Sequence, residues 1–213
     1  MRYPEVKDFV NIARDWAHDA AGLLLQAVWD GFDKFADEVL SEVDPTQADE
    51  DLERSVTQLL AERIRRCMPA MSPFFLEHGI HEHETRLSPP AQPPLYDLAF
   101  VVYENPRLML PLEAKTLRSD RSVGPYVRDV KAEFLTCRYA PFSSEAAMLG
   151  YLLKGDPNVA FARIASSVRC ALDADPRFNG RDHKVSAHTR TVPTGKDYPR
   201  KFRCHHMIFR IAA

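Results

Sequence analysis

The spacing of apolar residues predicts two helices in the first third of the chain. Between residues 5 and 40, apolar side chains recur every three or four positions, and Gly22 or Gly31 is a place where this helix can divide or bend. Residues 41–51 are polar and acidic and contain a proline, which indicates a loop or a helix start. Residues 51–67 carry one apolar stripe and predict a second, amphipathic helix.

The middle of the chain has the pattern of strands. Residues 74–86 predict a strand or a bent hairpin arm, and the proline-rich residues 88–94 predict a loop. Two apolar runs, 95–103 and 108–114, predict strands that are joined by a tight turn at residues 104–107, ENPR.

The remaining residues predict several helices and one last strand. We expect helices at residues 125–138, 144–153 and 158–172, and a final strand at 202–211. The run at 144–153 is compact and apolar, so we expect it in the core, where Gly150 permits close packing. This order of elements describes a mixed sheet with helices packed on it.

Length and composition are those of one globular α/β domain. The chain has 213 residues, of which 45% are hydrophobic and 27% charged. We expect residues 1–45 to form an N-terminal helical extension and residues 46–213 the main domain, or both to form one continuous domain. No run approaches the roughly 18 apolar residues of a membrane helix, and no signal-peptide pattern is present, so we expect a cytoplasmic protein. The four cysteines are widely spaced, which predicts reduced thiols.

Charge is unevenly distributed, although the net charge is only −2. Residues 1–62 hold fifteen acidic and five basic side chains, a balance of −10, and residues 177–210 hold nine basic and two acidic ones, a balance of +7. The asymmetry favours a basic tail segment that faces a polyanion and an acidic segment that faces away from it. The alternative is that both are ordinary solvated surfaces.

One predicted strand ends in a pair of opposite charges. In residues 108–115, LMLPLEAK, alternation places Glu113 and Lys115 on the same face of the strand. A hairpin would bring Asp97, near the start of the preceding strand, level with them. Two carboxylates that converge bind a hard cation such as Mg²⁺ or Mn²⁺ well. A lysine beside that cation can orient or deprotonate an attacking water.

These residues carry a resemblance to a known family. Asp97, sixteen positions before Glu113-Ala114-Lys115, resembles the Asp…(Asp/Glu)-X-Lys signature of the PD-(D/E)XK, or restriction-endonuclease-like, nuclease superfamily. The resemblance covers roughly residues 51–135. It implies an α/β fold with a mixed central sheet flanked by helices and an αβββαβ core, to which the N-terminal helical segment is added.

The resemblance also implies an activity and roles for single residues. The chain is expected to be a Mg²⁺- or Mn²⁺-dependent nuclease that hydrolyses phosphodiester bonds in DNA. Asp97 and Glu113 would hold the metal, and Lys115 would position or activate water. Many members carry a further glutamate on the preceding helix. At about 100° per residue, Glu53 flanks the apolar stripe of helix 51–67 and Glu62 falls on its solvent face, so we choose Glu53.

The resemblance also implies partners for the chain. The expected partners besides DNA are a larger ATPase or recognition subunit of a restriction or anti-phage defence system, and a second copy of the chain if both strands are cut. No membrane partner is expected.

A nuclease of this kind needs a path for the phosphate backbone. Basic side chains after the catalytic strand and in the C-terminal segment suit phosphate contacts. The candidate nucleic-acid-binding residues are Arg118, Arg121, Arg128, Lys131, Arg200, Lys201 and Arg203.

Two other functions fit the same sequence. The first is a non-enzymatic, nuclease-like subunit that binds nucleic acid or a protein. The second is a zinc metallohydrolase that uses His78, His81 and His83, of which the last two share a face in an extended strand. No third ligand beside His81 and His83 is identifiable from the sequence, and the spacing in a second, loose cluster of potential ligands matches no zinc module. That cluster consists of His183, His188, Cys204, His205 and His206.

Overall fold

The computed structural model describes residues 6–70, 72–88 and 91–212, with side chains from residue 20 onward. Residues 1–5, where the first predicted helix begins, lie outside the described residues. The described helices are α1 (Val6–Glu38), α2 (Asp49–Cys67), α3 (Gly124–Asp129) and α4 (Pro157–Val168). The described strands are β1 (Phe74–His81), β2 (Leu95–Val102), β3 (Asn105–Leu117), β4 (Glu145–Leu152), β5 (Asp173–Ala174), β6 (His183–Thr189) and β7 (Lys201–Arg210). Short 3₁₀ turns occur at Leu40–Glu42 and Pro176–Phe178, and α3 continues into a π-helical turn at Val130–Phe134.

The strands form one mixed sheet in the order β1-β2-β3-β4-β7-β6-β5. β3, β4 and β7 run parallel to one another, and the flanking pairs on both sides are antiparallel. The expected α/β class and the mixed sheet flanked by helices are confirmed. The elements α2, β1, β2, β3, α3 and β4 follow one another in the expected αβββαβ order.

The prediction of a helix at residues 144–153 is wrong, because this segment forms β4. All eight residues of β4 are buried, and parallel neighbours pair with it on both sides. A short, continuous apolar run has no period that distinguishes a central strand from a buried helix. The expectation that it lies in the core is correct. A Cβ on Gly150 would lie 2.9 Å from Leu117 Cδ1, so glycine permits close packing there.

The basic C-terminal segment is not a tail. It supplies β6 and β7, and β7 lies inside the sheet between β4 and β6. The final strand was predicted, but β6 was not, because two of its three buried side chains, His183 and Ser186, are polar and its apolar Ala187 is exposed. Arg190, directly after β6, is likewise buried, and its guanidinium donates to the Pro199 and Ala140 carbonyls.

The hairpin between β2 and β3 turns earlier than predicted. The turn lies at Tyr103 and Glu104, and residues 105–107 already belong to β3, with a register shift beside Val101 and Val102. Pro111 interrupts no pairing. Because the Ala114 N–H points towards β2, the N–H that proline lacks would face β4, and that pairing begins only at Leu112.

Two apolar cores cover the two faces of the sheet. One contains α1 and α2, and the other contains α3 and α4. α1 is not divided at Gly22 or Gly31. Instead, Gly31 is the contact point with α2, where an added Cβ would lie 2.8 Å from the Ile64 backbone nitrogen. In the described part of the chain, no helix has the length and apolar character to cross a membrane.

Candidate metal centre

The site lies where β2 and β3 cease to pair with each other. β2 pairs with β1 as far as Leu95, but its pairing with β3 reaches only Leu98 and Leu112. Beyond that point, side chains replace the strand ladder. The Ala114 N–H donates to Asp97 Oδ2 at 2.7 Å, and the Thr116 N–H donates to Glu53 Oε2 at 2.9 Å. Two carboxylates are thereby fixed on the edge of β3 by backbone donors that have no strand partner.

The Lys115 ammonium lies at the centre of this site. Its Nζ is 2.8 Å from Glu113 Oε1, 3.2 Å from Glu53 Oε1 and 3.3 Å from Asp129 Oδ2, and it donates to the Ala114 carbonyl. The structure therefore brings together the four residues singled out in the sequence, Asp97, Glu113, Lys115 and Glu53, and adds Asp129.

Contacts at the start of α2 orient Glu53. Thr116 Oγ1 donates to the Asp49 carbonyl at 3.2 Å, and the Arg118 guanidinium bonds the Asp49 carboxylate and two carbonyls of the preceding loop. These bonds tie the first turn of α2 to the end of β3. Glu53, one turn later, faces the site. Glu62 is exposed, as expected, and its carboxylate lies 3.8 Å from the Arg63 guanidinium.

Asp129 is the site residue that the sequence reasoning missed. It ends α3, just before the π-helical turn, a feature that is frequent at functional sites. The criterion that selected Glu53 also applies to Asp129, because this carboxylate flanks the buried stripe of Tyr126, Val130 and Phe134. It was overlooked because the face of α3 that meets the sheet is defined only by packing.

Burial and mutual repulsion dominate the electrostatics of the site. Burial, followed by the charge of Asp97, raises the pKa of Glu113 well above its usual range. Burial likewise raises the pKa of Asp97 and of Glu53, against the attraction of Lys115. Burial alone would lower the pKa of Lys115, but the surrounding carboxylates raise it above its ordinary value. Lys115 is therefore a cation at neutral pH, which favours orienting water over deprotonating it.

The donors are oxygens of the type that a hard divalent cation takes, although no three of the described site carboxylates have ligand atoms within 4.8 Å of one another. Four carboxylates, those of Glu53, Asp97, Glu113 and Asp129, surround one ammonium. Glu113 Oε2 is buried and has no hydrogen-bond partner among the described residues. An orphaned carboxylate oxygen beside a second carboxylate is the arrangement that Mg²⁺ or Mn²⁺ satisfies.

The expected nucleic-acid-binding residues fall into two groups. The side chains of Arg118 and Arg203 are already engaged, since Arg203 lies 3.3 Å from Glu145 Oε1 and Arg118 holds the start of α2. The others are exposed, although Arg128 Nε also lies 3.4 Å from Asp129 Oδ1. They are Arg121, Arg128 and Lys131 after β3, and Arg200 and Lys201 at the start of β7.

Two histidines of the second, loose cluster in the sequence, His183 and His205, lie close together in the structure. Within the described residues, His78, His81 and His83 form no three-ligand cluster. Instead, Asp175, His183 and His205 each place one potential ligand atom within 4.8 Å of the others. All three residues are buried.

Hydrogen bonds already use the ligand atoms of this cluster. The Trp29 indole can only donate, and it does so to His183 Nδ1 at 3.2 Å. His183 Nε2–H therefore donates to His205 Nδ1 at 3.0 Å, and His205 Nε2–H donates to Glu145 Oε2 at 3.1 Å. Both Asp175 oxygens accept from the Arg177 guanidinium. Burial, with the neighbouring His205, lowers the pKa of His183 to about 3. The cluster is a buried hydrogen-bond network that joins α1 to the sheet.

Comparisons with protein-family models, with curated proteins and with solved structures returned no match for this chain. The fold and the site together define a mixed α/β protein with a buried carboxylate–lysine centre. Its resemblance to the PD-(D/E)XK superfamily stays a prediction.

Proposed function

We propose that this chain is a metal-dependent nuclease that hydrolyses phosphodiester bonds in DNA. The observation that carries the proposal is the environment of Glu113. One of its oxygens binds Lys115, and the other is buried without a described partner close to Asp97. Leaving a buried acceptor unsatisfied costs about 1–3 kcal/mol, and more for a charged group. A bound cation would remove this cost.

Each residue of the centre has a part in this proposal. Asp97 and Glu113 would hold Mg²⁺ or Mn²⁺. When bound, such an ion lowers the pKa of a water and offsets charge that develops on a phosphodiester. Lys115 Nζ donates to Glu113, Glu53 and the Ala114 carbonyl in this structure. With Glu113 as a metal ligand, one of these donors would be free to orient the attacking water near the phosphorus. Glu53 fixes Lys115 with one oxygen and the backbone of β3 with the other, and Asp129 restrains the ammonium from α3.

Nearby basic residues favour a polyanionic substrate. Arg128 immediately precedes Asp129, and Lys131 follows it, and both side chains are exposed. Cations at this position can bind the phosphates that flank the scissile bond. Restriction or anti-phage defence, with a larger ATPase or recognition subunit, is the setting that the superfamily resemblance adds to the proposal.

Cleavage of supercoiled plasmid DNA tests the proposal. We expect nicking or linearisation in Mg²⁺ or Mn²⁺ and none in EDTA. Asp97→Asn and Glu113→Gln, which preserve side-chain shape, should each lower the rate by a factor of about 100 or more, as loss of one transition-state contact does. Glu62→Gln, at an exposed position on α2, is the matched control.

The alternatives predict other results. DNA binding without cleavage in either metal would support the non-enzymatic subunit. Cleavage by Asp97→Asn at the wild-type rate would show that the reaction occurs elsewhere. Activity with Zn²⁺ but not with Mg²⁺ would favour the histidine-based hydrolase.

A further inference from the structure

A second concave site lies on the face of β3 that carries Glu113. It is a cavity of about 400 Å³, lined by residues from the end of β1, the first half of β3 and the loop after α3. The residues that matter here are His81, Glu82, His83, Glu84, Arg107 and Met109. The volume falls in the range of about 300–1,000 Å³ that is typical of small-molecule sites.

The cavity adjoins the metal centre. Met109 and Glu113 share one face of β3 and are four residues apart, which corresponds to roughly 13 Å along a strand. Tyr96, the neighbour of Asp97 in the chain, donates to Glu82 Oε2 at 3.0 Å. The Tyr96 ring also packs against Tyr139, with centroids 4.8 Å apart. Tyr96 therefore connects Glu82, in the cavity lining, to the strand that carries Asp97.

The lining offers surfaces for a planar ring. The Arg107 guanidinium lies 4.8 Å from the centroid of the Phe142 ring, so its plane belongs to the cavity wall. The imidazoles of His81 and His83 are 6.1 Å apart, and Ile80 and Met109 add apolar surface. Unstacked nucleobases bind on histidine rings and on guanidinium planes.

The polar groups of the cavity are mostly hydrogen-bond acceptors. Glu82 accepts from the Tyr96 hydroxyl and from the Glu84 N–H. Glu84 accepts from Arg107, Lys196 and Tyr198. Glu82 Oε1, Glu82 Oε2 and Glu84 Oε2 each accept one of these bonds and retain a second lone pair. His81 Nδ1 is buried and has no hydrogen-bond partner among the described residues. Carboxylates accept well from an exocyclic amino group, as acidic side chains do from cytosine N4. The lining therefore offers acceptor lone pairs to a planar ring that carries an amino group.

We propose that this cavity binds a nucleobase of the same strand whose phosphodiester lies at the metal centre, and that it prefers cytosine or adenine to thymine. The inference rests on the proposed nuclease function. A separation of about 13 Å spans about four nucleotides of stacked strand, at roughly 3.4 Å each. The base must leave its stack to enter, so the occupied nucleotide is single-stranded or flipped out.

Binding of labelled single strands tests this inference without relying on cleavage. Fluorescence anisotropy would give the Kd of oligo(dC) and oligo(dT) of equal length for the Glu113→Gln protein, with Ca²⁺ in place of Mg²⁺. Phosphate contacts are common to both strands and cancel in the ratio. We expect oligo(dC) to bind about tenfold more tightly, the effect of a hydrogen bond worth about 1.4 kcal/mol.

Variants of the lining connect the preference to the cavity. His81→Ala combined with His83→Ala should weaken oligo(dC) binding, and Met109→Trp, which fills the cavity from β3, should abolish the preference for oligo(dC). Glu77→Ala, on β1 but outside the lining, is the control and should retain the preference. Equal affinity for both strands in the parent protein, or a preference that persists in both cavity variants, would overturn the inference.

A parallel cleavage assay separates this inference from the proposed function. If the wild-type protein cleaves DNA but shows no base preference through the cavity, only the inference fails. If the base preference is present and no metal supports cleavage, the nuclease proposal fails and the base site stands.

Discussion

At the scale of single residues, Lys115 has more acidic neighbours than one ammonium can neutralise. Glu113, Glu53 and Asp129 all lie within 3.3 Å of its Nζ. The lysine thus competes with any cation for the Glu113 carboxylate. This competition separates the role of the lysine from that of the carboxylates.

Lys115→Ala should abolish cleavage and leave Mn²⁺ binding as tight as in the wild type or tighter, because a competing charge is removed from the carboxylates. Glu113→Gln should weaken both, since it removes a ligand. Calorimetric titration with Mn²⁺ beside the plasmid assay measures the two effects. Lys154→Ala, at an exposed lysine, is the control. Equal loss of Mn²⁺ binding in the Lys115 and Glu113 variants would give the lysine a structural role.

At the scale of elements, the position of α2 determines where Glu53 points. α2 is fixed at its start by Arg118 and Thr116, and further along by its close approach to α1 at Gly31. The contacts at the start of α2 use the side chains of Thr116 and Arg118. The contact at Gly31 meets the backbone of Ile64, which cannot rotate away as a flexible side chain can. The packing of α1 on α2 therefore contributes to the position of Glu53 in the site.

Gly31→Ala should destabilise the protein, although alanine is the better helix former. The added Cβ would lie 2.6–2.9 Å from Ile64 Cγ1, N and Cα. Overpacking of this kind costs about 1–3 kcal/mol, and the gain in helix propensity returns only about 1 kcal/mol. Urea denaturation should show a lower free energy of unfolding by about 1 kcal/mol or more.

Gly124→Ala is the matched control for this change, because nothing lies within 4 Å of its added Cβ. Its free energy of unfolding should stay within about 0.5 kcal/mol of the wild type. If the two alanine variants were equally stable, the close approach of α1 and α2 would not contribute to stability.

At the scale of the whole molecule, folding redistributes the charge asymmetry of the sequence. The basic C-terminal segment becomes two strands of the sheet, and some of its charges are satisfied internally, as Arg203 is by Glu145. Exposed cations beside the metal centre belong instead to α3 and the turn after it. We therefore expect the phosphate path to follow α3.

Combined replacement of Arg128 and Lys131 by alanine should flatten the salt dependence of duplex DNA binding. Each lost phosphate contact lowers the slope of log K against log salt by about 0.9. Arg200→Ala with Lys201→Ala, which removes two exposed charges at the start of β7, should change the slope less. Affinities measured over a range of salt concentrations decide between them. A larger change in slope for the Arg200 and Lys201 variant than for the Arg128 and Lys131 variant would place the path on the C-terminal segment, as the sequence alone indicated.

The sequence by itself determined the features that depend on neighbours in the chain. Helical periodicity predicted α1, α2 and α4, and the hairpin of β2 and β3 was predicted from two apolar runs separated by a short turn. Asp97, Glu113 and Lys115 meet because adjacent antiparallel strands place their ends together. Glu53 was found in the same way, because its position on one helical stripe is a local property.

Only the tertiary structure decided the features that depend on distant partners. β4 is a strand because β3 and β7 pair with it on both sides, and its composition allows a helix equally well. Asp129 joins the site because α3 packs over β3, and no local pattern specifies that distance. The opening of the ladder beyond Leu98 freed the Ala114 and Thr116 N–H groups for carboxylates. Strand pairing and helix docking are non-local, so these contacts cannot be derived from the spacing of residues along the chain.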